Sequence, residues 1–205
     1  MKKGMCYIVG AGDFTARDFH PAKGDLVIAA DGGADSLAAH GFRPHLLIGD
    51  MDSVIAAPNV PRIKFPKIKN DTDLSLAIKV GIKMGYRSFQ LYGIGGGRPD
   101  HFYANLQLMA MFSVMGPALH AVLPECDIWS LTDDTLLVPS HVGQTVSVFC
   151  PDGLAKGVTM SGLFYPLQNA VLTARFPLGV SNETVSEQIK ISVRKGTLIV
   201  FLLQG

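Results

Sequence analysis

The chain has 205 residues, 48% of them hydrophobic and 17% charged, with a formal net charge of +1 from 18 basic and 17 acidic residues. That length holds one large domain or two small ones, and so apolar a composition excludes intrinsic disorder. Basic residues form no run or stripe, so a nucleic-acid partner has no electrostatic support, and no apolar run approaches the ~20 residues that span a bilayer.

In chain order, Lys2 and Lys3 precede a short apolar run at 5–9, ended by Gly10 to Asp13. It is too short for a signal-peptide core and reads as a first buried strand. Residues 25–30 read as a second buried strand, 34–40 as a short helix stopped by Gly41, and 46–48 and 62–65 as short strands. The clearest helix is 71–84: Leu74, Ala77, Ile78, Gly81 and Ile82 share one face, Asn70 can cap it, and Gly85 ends it. A strand at 89–92, an apolar helix at 101–115 and a strand at 119–123 follow. Such alternation implies a parallel sheet with helices on both faces.

Beyond residue 123 the pattern changes to short alternating strands at 145–149, 158–161, 170–174, 188–193 and 197–202, separated by Pro151-Asp152-Gly153, Ser161-Gly162 and Lys195-Gly196. The net charge shifts from +3 over 1–123 to −2 over 124–205. The expected fold is therefore an α/β N-terminal domain, 1–124, with a mainly parallel sheet, and a small antiparallel β-sandwich C-terminal domain, 125–205. Cys6, Cys126 and Cys150 are odd in number and widely spaced. They suit buried apolar positions in a reducing cytoplasm rather than a zinc site or disulfide framework.

In an open parallel sheet, ligands bind at the carboxyl ends of strands. Gly10-Ala11-Gly12 follows the first strand but lacks the third glycine of a dinucleotide fingerprint, leaving a tight turn. Asp31-Gly32-Gly33 follows the second strand and opens a helix, as a plain cap or as an anion site. Gly49-Asp50-Met51-Asp52-Ser53 follows the third. Its two carboxylates at i and i+2 are either turn residues or hard oxygen ligands for Mg²⁺. The run from Gly93 to Asp100 places four glycines and Arg98 ahead of Asp100 and His101; it offers backbone approach and a guanidinium fork to a polyphosphate. Lys69-Asn70-Asp71-Thr72-Asp73 precedes a helix, where Asp73 favours the first turn on dipole grounds alone and Lys69 can equally meet phosphate. Ten Asp and no Glu occur in residues 1–123, consistent with carboxylates carried on caps and loops. Together these are the parts of metal-assisted phosphoryl-type transfer. No Gly-x-Ser-x-Gly elbow supports hydrolase chemistry.

These runs, followed by Gly162-Leu163-Phe164-Tyr165-Pro166-Leu167 and Ser181-Asn182-Glu183, occur in an order that closely resembles the thiamine pyrophosphokinase family, bacterial type, over nearly the whole chain. The resemblance implies a homodimer that converts ATP and thiamine to thiamine diphosphate and AMP with Mg²⁺. It implies Asp50, Asp52 and Asp73 as metal ligands. It implies Asp31, Gly32, Gly33, Lys69, Thr72, Arg98, Asp100 and His101 around the nucleotide. Ser181 and Asn182 then lie on the thiamine side, working across the dimer interface. Arg98 holds phosphate oxygens, and Asp73 or Asp100 orients the hydroxyl or takes its proton. Met51 stands where Phe is common in the family, and Asn70 where an acidic residue is common. Two other readings remain at this point: a non-catalytic nucleotide sensor whose β-domain binds a partner, and another metal-dependent kinase on a similar fold.

Overall fold

A computed structural model of the chain describes residues 4–50, 55, 59–65 and 71–204. It divides into two compact units, Met1–Asn105 with His120–Pro124, and Leu106–Leu119 with Glu125–Gly205.

The first unit carries β1 (Cys6–Val9), β2 (Leu26–Ala30), α1 (Gly33–Ala39), β3 (Leu46–Gly49), β4 (Arg62–Lys64), α2 (Asp73–Lys83), β5 (Ser88–Tyr92), the start of α3 (Pro99–Val114) and most of β6 (Ala118–Val122). Its strands lie in the order β6-β5-β1-β2-β3-β4. The pairs β5–β1, β1–β2, β2–β3 and β3–β4 are all parallel. β1, β2 and β3 are buried at every position, as their unbroken apolar runs require in a sheet covered on both faces. Tyr7 and Val9 pack with Ala34 and Leu37 of α1. Cys6 points the other way, beside Gly81 of α2, where an added Cβ would lie 3.1 Å from the Cys6 sulfur and 2.6 Å from the Phe89 ring. Successive strand residues alternate faces, so α1 and α2 cover opposite sides, as the alternation in the sequence implies. Burial pushes the Cys6 thiol up to about 12, in keeping with a packing role.

Two helix readings shift. α2 begins at Asp73 rather than 71, and its cap is Thr72, whose hydroxyl accepts from the Ser75 N–H at 3.2 Å. Asn70, the expected cap, lies outside the described residues. α3 begins at Pro99, where proline's missing N–H costs nothing.

The second unit is an antiparallel sandwich. One sheet contains β7 (Cys126–Thr132), β9 (Thr145–Phe149), β12 (Gly179–Glu183) and β14 (Thr197–Leu203) in the order β12-β9-β14-β7. The other orders β8 (Thr135–Pro139), β10 (Leu154–Ser161), β11 (Leu167–Thr173) and β13 (Gln188–Ser192) as β11-β10-β13-β8. Val146, Val148, Leu198 and Val200 of the first sheet meet Val158, Met160, Ile189 and Ile191 of the second in one core. Strands β7, β8 and β12 are additions to the five read from the sequence. All three cysteines are free and buried. Among the described residues no helix is long and apolar enough to cross a membrane.

Candidate active site

The chain leaves β1, runs outward through β2, β3 and β4, and returns to place β5 on the other side of β1. The loops after β1 and β5 therefore part at a topological switch point, where open α/β sheets receive ligands. They are tied together by backbone bonds: Gly10 N–H to Tyr92 O at 2.8 Å, Gly12 N–H to Gly93 O at 2.8 Å and Asp13 N–H to Gly95 O at 2.9 Å. A side chain on Gly10 would come within 2.6 Å of the Gly93 carbonyl, and one on Gly12 would collide with the Gly95 carbonyl. These glycines thus permit loop-to-loop contact, and Gly10, Gly12, Gly93 and Gly95 also line the cavity beside the loops. Gly97 differs: its φ is +62 and the space around its Cα is open.

Beside these loops lies a cavity of about 570 Å³ within the first unit. Asp31, Thr72, Arg98, Asp100 and His101, expected at the nucleotide, line it, as does Asp73, expected as a metal ligand. Asp31 has a φ of 49, and its N–H donates to Ile48 O at 2.8 Å. The α2 N-terminus brings Thr72 and Asp73 to the wall, so the positive end of the helix faces the cavity where an anion is favoured. Behind it, Ser75 Oγ donates to Asp71 Oδ1 at 2.9 Å, and Lys79 Nζ lies 2.6 Å from the same oxygen.

Arg98 and Asp100 face each other as two forks, with Nε to Oδ1 at 3.1 Å and Nη2 to Oδ2 at 2.5 Å. The guanidinium, by hydrogen bonding first, holds the Asp100 carboxyl down to about 2, and the carboxylate in turn raises Arg98. Both side chains are exposed, so the pair sets geometry more than stability. Asn105, not singled out in the sequence, also lines the cavity and donates from Nδ2 to Ile94 O at 2.8 Å. Its signal was its place four residues after His101, on the same face of α3.

The other expected residues divide. Gly33 is buried against β1, where a Cβ would collide with the Val9 carbonyl, and Gly32 is the α1 N-cap against Ala11; neither lines the cavity. Asp50 follows β3, after Gly49 with a φ of 148. Asp52 and Lys69 lie outside the described residues. Among the described residues no three His, Cys, Asp or Glu side chains gather as a metal site. Asp50, after β3, does not line the cavity, and Asp73, at the start of α2, does; both offer oxygen only, which suits a hard cation such as Mg²⁺. Ser181 and Asn182 belong to β12 of the second unit. Ser181, with a φ of 55, donates its N–H to Ser147 Oγ at 3.0 Å, and Asn182 is buried.

The pattern described as thiamin pyrophosphokinase, catalytic domain, matches residues 21–119. That of thiamin pyrophosphokinase, vitamin B1 binding domain, matches residues 132–198. A thiamine pyrophosphokinase of Bacillus subtilis (strain 168) is 28% identical over 185 residues, covering 85% of this chain and 86% of that protein. The crystal structure of the thiamine pyrophosphokinase from Bacillus subtilis superposes with a TM-score of 0.88 at 25% identity, over 98% of this chain and 99% of that one. That of the Geobacillus thermodenitrificans thiamin pyrophosphokinase gives a TM-score of 0.85 at 24% identity over 98% of both chains, a likeness of fold. With both family patterns matched along its length and a cavity at the switch point of its sheet, the chain belongs to the thiamin pyrophosphokinase family.

Proposed function

We propose that the protein transfers the pyrophosphoryl group of ATP to the hydroxyl of thiamine, with Mg²⁺, and releases AMP. The observation that carries this reading, beside family membership, is the switch-point cavity, which joins a helix N-terminus bearing Asp73, an arginine oriented by Asp100 and the strand-end carboxylate Asp31. The thiamine hydroxyl oxygen bonds to the β-phosphorus. The bond from that phosphorus to the oxygen bridging the α-phosphate breaks, AMP leaves with the bridging oxygen, and the hydroxyl proton passes to a base or to solvent.

Asp50, Asp52 and Asp73 are the proposed ligands of Mg²⁺, which when bound neutralises polyphosphate charge. The N–H groups at the start of α2 and the open turn at Gly97 receive phosphate oxygens. Arg98 spends its Nε–Nη2 edge on Asp100. Its other edge, Nη1–Nη2, is a second fork that suits a phosphate, so Asp100 aims Arg98 while Arg98 holds substrate. A carboxyl held at about 2 is a poor proton acceptor, which favours Asp100 as the residue that sets Arg98. Asp31, His101 and Asn105 complete the wall beside the nucleotide.

Residues 1–124 are proposed to bind the nucleotide and 125–205 to bind thiamine and dimerise, with the Ser181–Asn182 region of one copy serving the nucleotide side of the other. Exposed Phe176 and Leu178, just before edge strand β12, and exposed Val180 within it support an assembly of two copies. A reducing cytoplasm suits the three free cysteines. Incubation with thiamine and Mg-ATP should yield AMP and thiamine diphosphate in equal amounts; nucleotide binding without AMP release would instead favour a sensor.

A further inference from the structure

Asn182 sits in the stretch expected to serve thiamine, yet its carboxamide is already engaged. Oδ1 accepts from the Tyr165 N–H at 3.0 Å and the Glu183 N–H at 2.9 Å, and Nδ2 donates to the Tyr165 carbonyl at 2.7 Å. Three of the four hydrogen-bonding positions of a carboxamide are thus filled, and the residue is only 5% exposed.

The segment it grips is braced on both sides. Phe164 N–H donates to Glu183 O at 2.8 Å, Val185 N–H to Gly162 O at 2.9 Å, and Leu163 is buried opposite Thr184. Gly162, with a φ of 79, makes the turn, and a Cβ there would press within 2.5 Å of the Gln188 carbonyl. On this rigid base Phe164 and Tyr165 stand 62% and 66% exposed, edge to face with ring centroids 4.9 Å apart. A well-braced backbone carrying two large aromatic rings into solvent is costly unless the rings meet something flat and apolar.

We infer that Asn182 is a positioning residue rather than a thiamine ligand, and that it serves thiamine through the Tyr165 peptide, by presenting the Phe164–Tyr165 pair as the face that receives thiamine. The inference rests on the proposed reaction for the identity of the ligand. Thiamine is two linked aromatic rings, one a permanently cationic thiazolium, and aromatic faces attract such a cation. The pair lies within the segment that matches the vitamin B1 binding domain.

The test is a double-mutant cycle on thiamine affinity, measured by calorimetry on the full chain. Its corners are wild type, Asn182→Ala, the paired change Phe164→Ala with Tyr165→Ala, and the three combined. Asn182→Ala and the aromatic change should each weaken thiamine binding about tenfold with ATP affinity unchanged. The combined variant should be no weaker than the aromatic one, because removing the rings removes what Asn182 positions. Multiplying effects would mean that Asn182 touches thiamine itself and would overturn the inference. So would unchanged thiamine affinity without the two rings. Should Asn182→Ala fail to fold, Asn182→Asp keeps the size but turns an oxygen toward the Tyr165 carbonyl, and it takes the same place in the cycle. Wild-type protein that binds thiamine but releases no AMP refutes the proposed reaction and leaves the cycle decisive; wild-type protein that binds no thiamine refutes both.

Discussion

At the scale of single residues, the sequence placed Arg98 and Asp100 side by side, but only the fold showed one gripping the other. A carboxylate with a depressed pKa keeps its interaction above the usual carboxylate range and loses it only as pH falls toward that depressed value, here about 2. The pair is therefore intact across the neutral range. Asp100→Asn should lower kcat/KM for ATP about tenfold by loosening Arg98, while the acid limb of the pH–rate profile stays in place. A limb that moves would make Asp100 a titrating catalytic group. Arg98→Lys keeps the charge and loses both forks, so it should raise the KM for ATP more than that for thiamine; equal increases would argue against a phosphate role. The glycines separate in the same way. Gly97→Ala meets open space and only the strain of a φ of +62, about 1 kcal/mol. Gly12→Ala drives a methyl into the backbone of Gly95 and should lower the melting temperature far more. Sequence shows glycine clusters readily, but not which glycines face another loop.

At the scale of elements, the site depends on where α2 starts. Thr72 holds that end through the Ser75 N–H, so Thr72→Ala should cost about 1 kcal/mol of stability while Thr72→Ser stays near wild type, as urea unfolding would show. The same cap sets Asp73 at the cavity wall, so the alanine variant should also lose affinity for ATP. The buried strands of the first unit were legible because each is a continuous apolar run with a turn residue after it. β12 was not. Its sequence Gly-Val-Ser-Asn-Glu has one large apolar residue, its register slips between Gly179 and Asn182, and Ser181 has a positive φ. No alternation survives such a bulge. β7 hides for another reason: Asp127 and Ser130 interrupt its apolar pattern, and Asp127 is buried against Gln204, 77 residues away in sequence, at 2.5 Å.

At the scale of the whole molecule, the proposed two-copy assembly makes a prediction of its own. Asp73→Asn and Asn182→Ala damage different units, so, assayed at thiamine well below the weakened variant's Kd, mixing the two impaired variants after mild dissociation should raise activity above that of either alone. Random exchange makes half the dimers mixed, each with one intact site, or about a quarter of wild-type turnover by two-fold symmetry. No recovery despite exchange confirmed by size-exclusion chromatography would place both residues in the service of a site within one chain. The sequence by itself determined the α/β alternation, the antiparallel second unit and the strand-end loops proposed to carry the chemistry. These follow from short-range rules: apolar period, turn residues and caps all act within a few positions. Tertiary structure alone decided that Gly10 and Gly12 meet Gly93 and Gly95, that Gly33 lies on β1 rather than at the cavity, and that the Asn182 carboxamide is taken up by Tyr165. Each of these contacts has a backbone group on at least one side and joins segments separated in sequence, and a donor's eventual partner is fixed only when folding brings the two strands or loops together.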